Sequence, residues 1–168
     1  MKYVISYDHL KDELVTNDKT NYNFKSVRDN ANKYKLEFEV RNIMKLNIEK
    51  TQKYYDSLEQ EYLCNCNYCK NYYLQVKEKY PKVSSYLDSL GIDIEKPFEI
   101  SSLEPDENNI LEYCVCQYIV FGCGCDTYSY KIDDVEFRIA KVYPDTGIKE
   151  EHFVIEFYPI KLEIILSL

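Results

Sequence analysis

The chain has 168 residues and carries 21 Lys and Arg against 29 Asp and Glu, for a net charge of −8. It is 45% hydrophobic, which is enough to build a core and excludes a largely disordered chain. Four Gly and five Pro are too few for a collagenous or low-complexity protein.

The N-terminus, Met1 to Asp8, turns polar within a few residues and lacks the apolar stretch of a secretory signal. No apolar run approaches the ~20 residues that span a bilayer, so a cytoplasmic chain without a membrane partner is expected. Asn17 to Lys35 is rich in Asn and Lys, shows no period, and reads as a long loop. Leu36-Glu37-Phe38-Glu39-Val40 alternates as a half-buried strand does. A single domain over 1–168 is expected, with a poorly patterned segment at 1–33 and its core at 34–168.

Cys66, Cys69, Tyr73, Val76 and Tyr80 then recur at spacings of three and four, the stripe of an amphipathic helix. Pro81 ends that helix and opens another, in which Val83, Tyr86, Leu87 and Leu90 form the stripe. Gly91 suits a left-handed residue just past the helix end. Residues 66–90 therefore predict a helical hairpin.

After Pro97 the period returns to two. Strands are predicted at Phe98 to Ser102, Glu112 to Phe121, Tyr128 to Ile132 and Val135 to Val142, with Asp133-Asp134 as a tight turn. Glu104 to Asn109 reads as an acidic loop, and Pro144-Asp145-Thr146-Gly147 as a turn. Phe153, Ile155 and Phe157 alternate, and after Pro159 the alternation resumes at Ile160, Leu162 and Ile164. The expected class is α+β, an antiparallel sheet or sandwich with the helical hairpin inserted before its later strands.

The most distinctive segment is Cys64-Asn65-Cys66-Asn67-Tyr68-Cys69-Lys70-Asn71-Tyr72. Together with Leu90-Gly91-Ile92-Asp93, Lys96-Pro97 and the aromatic strand Tyr118 to Gly122, it resembles a family of small uncharacterised bacterial proteins of Firmicutes type. Their motif is Cys-x-Cys-x-Tyr-Cys-(Arg/Lys)-Asn-(Phe/Tyr). The resemblance covers roughly residues 34–168 and implies one domain without an assigned activity. Cys114, Cys116, Cys123 and Cys125 lie outside that pattern.

Three readings of the motif stand open. Cys64, Cys66 and Cys69 could be thiolate ligands of zinc, with a fourth from Cys114, Cys116, Cys123, Cys125 or His152. Cys66-x-x-Cys69 at a helix start could be a redox pair. The favoured reading makes these cysteines small buried hydrophobes, with Asn65 or Asn67 capping the helix and Asn71 bonding to backbone. Likewise, Cys114 with Cys116, and Cys123 with Cys125, each fall on one strand face, as a packed sheet or a soft-metal site would need.

No catalytic residue is assigned. His9 and His152 are the two histidines, and no Walker, dinucleotide-binding or nucleophile-elbow motif is present. Tyr62, Tyr68, Tyr72 and Tyr73, with Asn71, crowd around the cysteines and are expected to form an interaction patch. Residues 1–82 sum to a charge of +3 and residues 83–168 to −11, which argues against nucleic acid and fits either a solvated acidic surface, the preferred reading, or a basic protein partner. The leading functional expectation is therefore a non-enzymatic interaction module, inhibitor- or immunity-like. A thiol-based metal-binding or redox protein is the alternative.

Overall fold

The structure is a computed structural model that describes residues 4–8, 13–16, 21–22, 39–40, 45–124 and 128–166. The chain divides into two units, Met1–Ile43 and Met44–Leu168.

In the first unit β1 (Val4–Asp8), β2 (Glu13–Thr16), β3 (Asn21–Tyr22) and β4 (Glu39–Val40) form a sheet of order β3-β2-β1-β4. β1 pairs antiparallel with β2 and parallel with β4. Asn21–Tyr22 is a strand where a continuous loop was expected, because it pairs antiparallel with Leu14 and Val15. Glu39 and Val40 lie in a strand as expected, while Leu36 to Phe38 and His9 fall outside the described residues.

The second unit is an α+β fold. Its strands are β5 (Lys45–Leu46), β6 (Glu99–Ser102), β7 (Ile110–Cys123), β8 (Ser129–Ile132), β9 (Val135–Ile139), β10 (His152–Tyr158) and β11 (Ile160–Glu163). Its helices are α1 (Ile48–Ser57), α2 (Asn67–Tyr73), α3 (Val76–Lys79) and α4 (Pro81–Ser89). All seven strands belong to one antiparallel sheet centred on β7.

Tyr113 of β7 faces Ser102 of β6 and Ile160 of β11, so β6 and β11 must occupy opposite edges of β7. β10 and β11 keep one register against β7 and run along it as a single interrupted strand. The register of β6 against β7 slips between Ser101 and Ser102, leaving Cys114 as the extra residue of a bulge. The bulge shifts the phase of β7: Leu111 and Tyr113 enter the same core as Cys116, Tyr118 and Val120. Across Pro159 the partner strand shifts in step, from Phe153, Ile155 and Phe157 to Ile160 and Leu162. Both strands therefore keep these core side chains on one face throughout.

The helices cover that face. Tyr55, Tyr72, Val76, Val83, Leu87, Leu90, Ile92 and Ile94 close over it, and burying a side chain such as Leu87 contributes about 1.5–3 kcal/mol. The other face carries a smaller cluster of Ile119, Phe121, Ala140 and Val154.

The expected hairpin at 66–90 is three short helices. The break falls at Gln75, whose backbone N–H donates to Tyr72 O at 3.1 Å while its own Nε2 donates to Asn71 O at 3.1 Å. The side chain thus takes the carbonyl that a continuing helix would have given to the Gln75 N–H. Pro81 begins α4 as expected. Gly91, at φ 78°, ends it: its N–H donates to Asp88 O at 3.0 Å and the Ile92 N–H donates to Leu87 O at 3.0 Å, a Schellman closure.

Candidate metal centre

Between α1 and α2 the chain makes a 3-10 turn at Gln60–Tyr62, bends at Leu63 and runs irregularly through Cys64 and Asn65. Cys66 is the N-cap of α2, in extended backbone at φ −70° and ψ 156°, and its Sγ accepts the Cys69 N–H at 3.4 Å. The expected asparagine cap is therefore corrected. Sulfur is a weaker acceptor than the oxygen of Ser, Asp or Asn, so capping alone does not explain a cysteine here.

One turn later, α2 is anchored into the fold. Asn71 Nδ2 donates to Glu163 O at 3.0 Å, and Asn71 Oδ1 accepts the Ile165 N–H at 2.9 Å. Gln75 Nε2 also donates to Glu163 O, at 2.9 Å. The Tyr113 hydroxyl donates to Tyr68 O at 2.7 Å, which ties β7 to the first turn of α2. The hydroxyls of Tyr72 and Tyr118 share a hydrogen bond of 2.9 Å, and Tyr118 also donates to Ile94 O at 2.7 Å. The backbone bearing the cysteines is thus held on a rigid platform.

On this platform the ligand atoms of Cys64, Cys66 and Cys69 all lie within 4.8 Å of one another. Cys64 and Cys66 are exposed and Cys69 is buried. A tetrahedral zinc with Zn–S of 2.3 Å separates its sulfurs by about 3.8 Å, so a shift of about 1 Å or less at each edge would complete three coordination bonds.

Burial works against ionisation of Cys66. Donation to its Sγ from the Cys69 N–H, the Cys69 and Cys64 thiols and the Tyr68 N–H outweighs that effect and holds Cys66 below the usual thiol value. Cys69 moves the other way: burial raises its thiol, and the hydrogen bonds it gives Cys66 and Cys64 keep its proton in place. The cluster thus favours ionisation at Cys66 over Cys69, and a bound cation would displace the thiol protons.

The other candidate ligands do not join this group. Cys116 lies fully buried in the core, Cys114 at the β7 bulge donates its thiol to Ser101 O at 3.5 Å, and Cys123 is exposed at the end of β7. Cys125 lies outside the described residues. His152, the first residue of β10, is held by the preceding loop, where Nδ1 donates to Glu150 O at 2.7 Å and Nε2 pairs with Thr146 Oγ1 at 2.9 Å. The expectation that Cys114 and Cys116 share one face is corrected, because the bulge puts Cys116 in the core and Cys114 outside it.

The expected tyrosine patch is corrected too. Asn71 and Tyr72 have no exposed surface, since the fold uses both as anchors, while Tyr68 and Tyr73 are half-buried and Tyr62 is 73% exposed. The reading of all three motif cysteines as buried hydrophobes holds for Cys69 alone.

One polar cluster escapes sequence reasoning. On the face away from the helices, buried Glu156 is paired by Arg138 and accepts from Gln117 Nε2 at 3.0 Å. Gln117 Oε1 has no hydrogen-bond partner among the described residues. The available signal is Gln117, a polar residue between Cys116 and the run from Tyr118 to Phe121.

Among the described residues, no helix is long and apolar enough to cross a membrane. Comparison with family models, curated proteins and solved structures finds no match.

Proposed function

We propose that the protein is a thiolate metal-binding protein whose centre is Cys64, Cys66 and Cys69, with zinc as the first ion to test. The observation that carries this reading is the convergence of three ligand atoms within 4.8 Å, two of them on exposed residues. A contrast within the motif supports it. Asn71, Tyr72 and Cys69 are accounted for by packing and hydrogen bonds, whereas Cys64 and Cys66 bury little. The chemistry of thiolates accounts for those two.

Zinc usually takes four ligands, so the fourth position is left to water, to a residue outside the described set such as Cys125, or to an external donor. The test is the metal content of protein purified in reducing buffer without added metal, with accessible thiols counted before and after chelation. One equivalent of zinc, with Cys64 and Cys66 labelled only after chelation, is the expected result. Metal-free protein that takes up no zinc, with both thiols freely labelled, overturns the reading.

The interaction reading rests on the acidity of residues 83–168 and stands second. Of its patch, Tyr62 alone remains fully open to a partner.

A further inference from the structure

The three sulfurs are held unequally. Cys69 is buried on α2, and Cys66 is fixed by the backbone hydrogen bond that its Sγ accepts as N-cap. Cys64 lies before the helix in irregular chain and is exposed, so neither burial nor helical backbone holds its sulfur in place. It lines a groove of about 520 Å³ together with Glu61, Leu63, Asn65, Lys70, Tyr73 and Leu74. The metal-ligand group contains no fourth His, Cys, Asp or Glu among the described residues.

We infer that Cys64 is the labile ligand of a metal-transfer site, at which a small thiol enters this groove and takes the metal from it. The inference rests on the metal-binding reading above. The groove has the size of a small-molecule site, and its lining carries Lys70, a cation for the sulfur of an incoming thiol, beside one carboxylate, Glu61. The walls at Leu63, Tyr73 and Leu74 suit the apolar body of such a ligand.

The step is a ligand substitution. The entering thiol would give its proton to solvent as its sulfur takes the metal's fourth position, releasing to solvent the water or external donor held there. The Cys64–metal bond then breaks and Cys64 takes up a proton, so no electrons change hands. A second entering sulfur displaces Cys66 in the same way, and Cys69, the most enclosed, lets go last.

The test uses the full chain loaded with one equivalent of Zn²⁺, mixed with dithiothreitol in excess, and zinc release is followed with a colorimetric chelator. The release rate is expected to rise in proportion to dithiothreitol concentration. Cys64→Ser should keep zinc and release it about tenfold faster, while Cys69→Ser should lose stoichiometric binding. Lys70→Glu should slow release to dithiothreitol while leaving release to a neutral chelator unchanged. A wild-type rate independent of dithiothreitol, or a Cys64→Ser rate equal to wild type, overturns transfer while leaving metal binding intact. Wild-type protein that holds no zinc overturns both readings.

Discussion

Cys66 and Cys69 are three residues apart and have opposite chemistry. The donors around Cys66 favour its thiolate, while burial keeps Cys69 protonated and burial likewise raises Cys116. Metal-free protein treated with iodoacetamide near neutral pH should therefore be alkylated first at Cys66, with Cys69 and Cys116 modified only after unfolding. Peptide mass analysis over time checks this, and early modification of Cys69 would contradict the assigned proton distribution. Asn71 is the motif residue with the largest structural duty. Asn71→Ala leaves Glu163 O short of one donor and the Ile165 N–H without its acceptor, and should cost about 3 kcal/mol of stability in a denaturant titration. The sequence placed Asn71 correctly as a backbone binder and misplaced it on a surface, because residue type shows hydrogen-bonding capacity but not burial. Tyr72 was misread for the same reason: its hydroxyl is satisfied inside the core by Tyr118.

At the scale of elements, the later strands were legible because each carries its own period-two pattern and turn residues. The phase change across Pro159 could be read directly, since Phe153, Ile155 and Phe157 are odd-numbered while Ile160 and Leu162 are even. The matching bulge at Cys114 could not be read, because it is set by pairing with β6 rather than by anything local. α1 passed unnoticed, since Thr51 and Tyr55 are its buried residues and a stripe that thin gives little periodic signal. The break at Gln75 was hidden for a related reason: it depends on a side chain bonding to Asn71 O and Glu163 O. Gly91 was legible as a helix stop, and the structure adds a second requirement. A Cβ there would lie 2.6 Å from Ile48 O and 3.0 Å from Gln52 N, at the start of α1. Gly91→Ala should therefore cost about 2 kcal/mol or more, from the left-handed backbone together with the forced parting of α1 and α4. Thermal melting checks it, and an unchanged midpoint would contradict the close packing of these two helices.

At the scale of the whole molecule, four tyrosines of the second unit are a structural resource. Tyr55, Tyr72, Tyr113 and Tyr118 are at most 2% exposed, and each hydroxyl finds a partner. Burial first, with added repulsion from neighbouring ionisable groups, raises Tyr55, Tyr72 and Tyr118 well above the usual phenol value. Their folded-state values exceed those of the unfolded chain, so the stability they contribute is complete below about pH 10 and is lost as pH rises further. Denaturation midpoints should fall progressively above that pH, with phenolate absorbance appearing together with unfolding. Full phenolate absorbance in a still-folded protein would contradict these burial assignments. Cys64 and Cys66 are the residues of the motif that packing does not explain, and titration of the reduced chain with Co²⁺ tests the metal reading most directly. Thiolate-to-cobalt absorption that saturates at one equivalent, survives Cys114→Ser and Cys123→Ser, and disappears in Cys69→Ser is the predicted result. No saturable absorption, or absorption undiminished in Cys69→Ser, would contradict a metal centre at Cys64, Cys66 and Cys69.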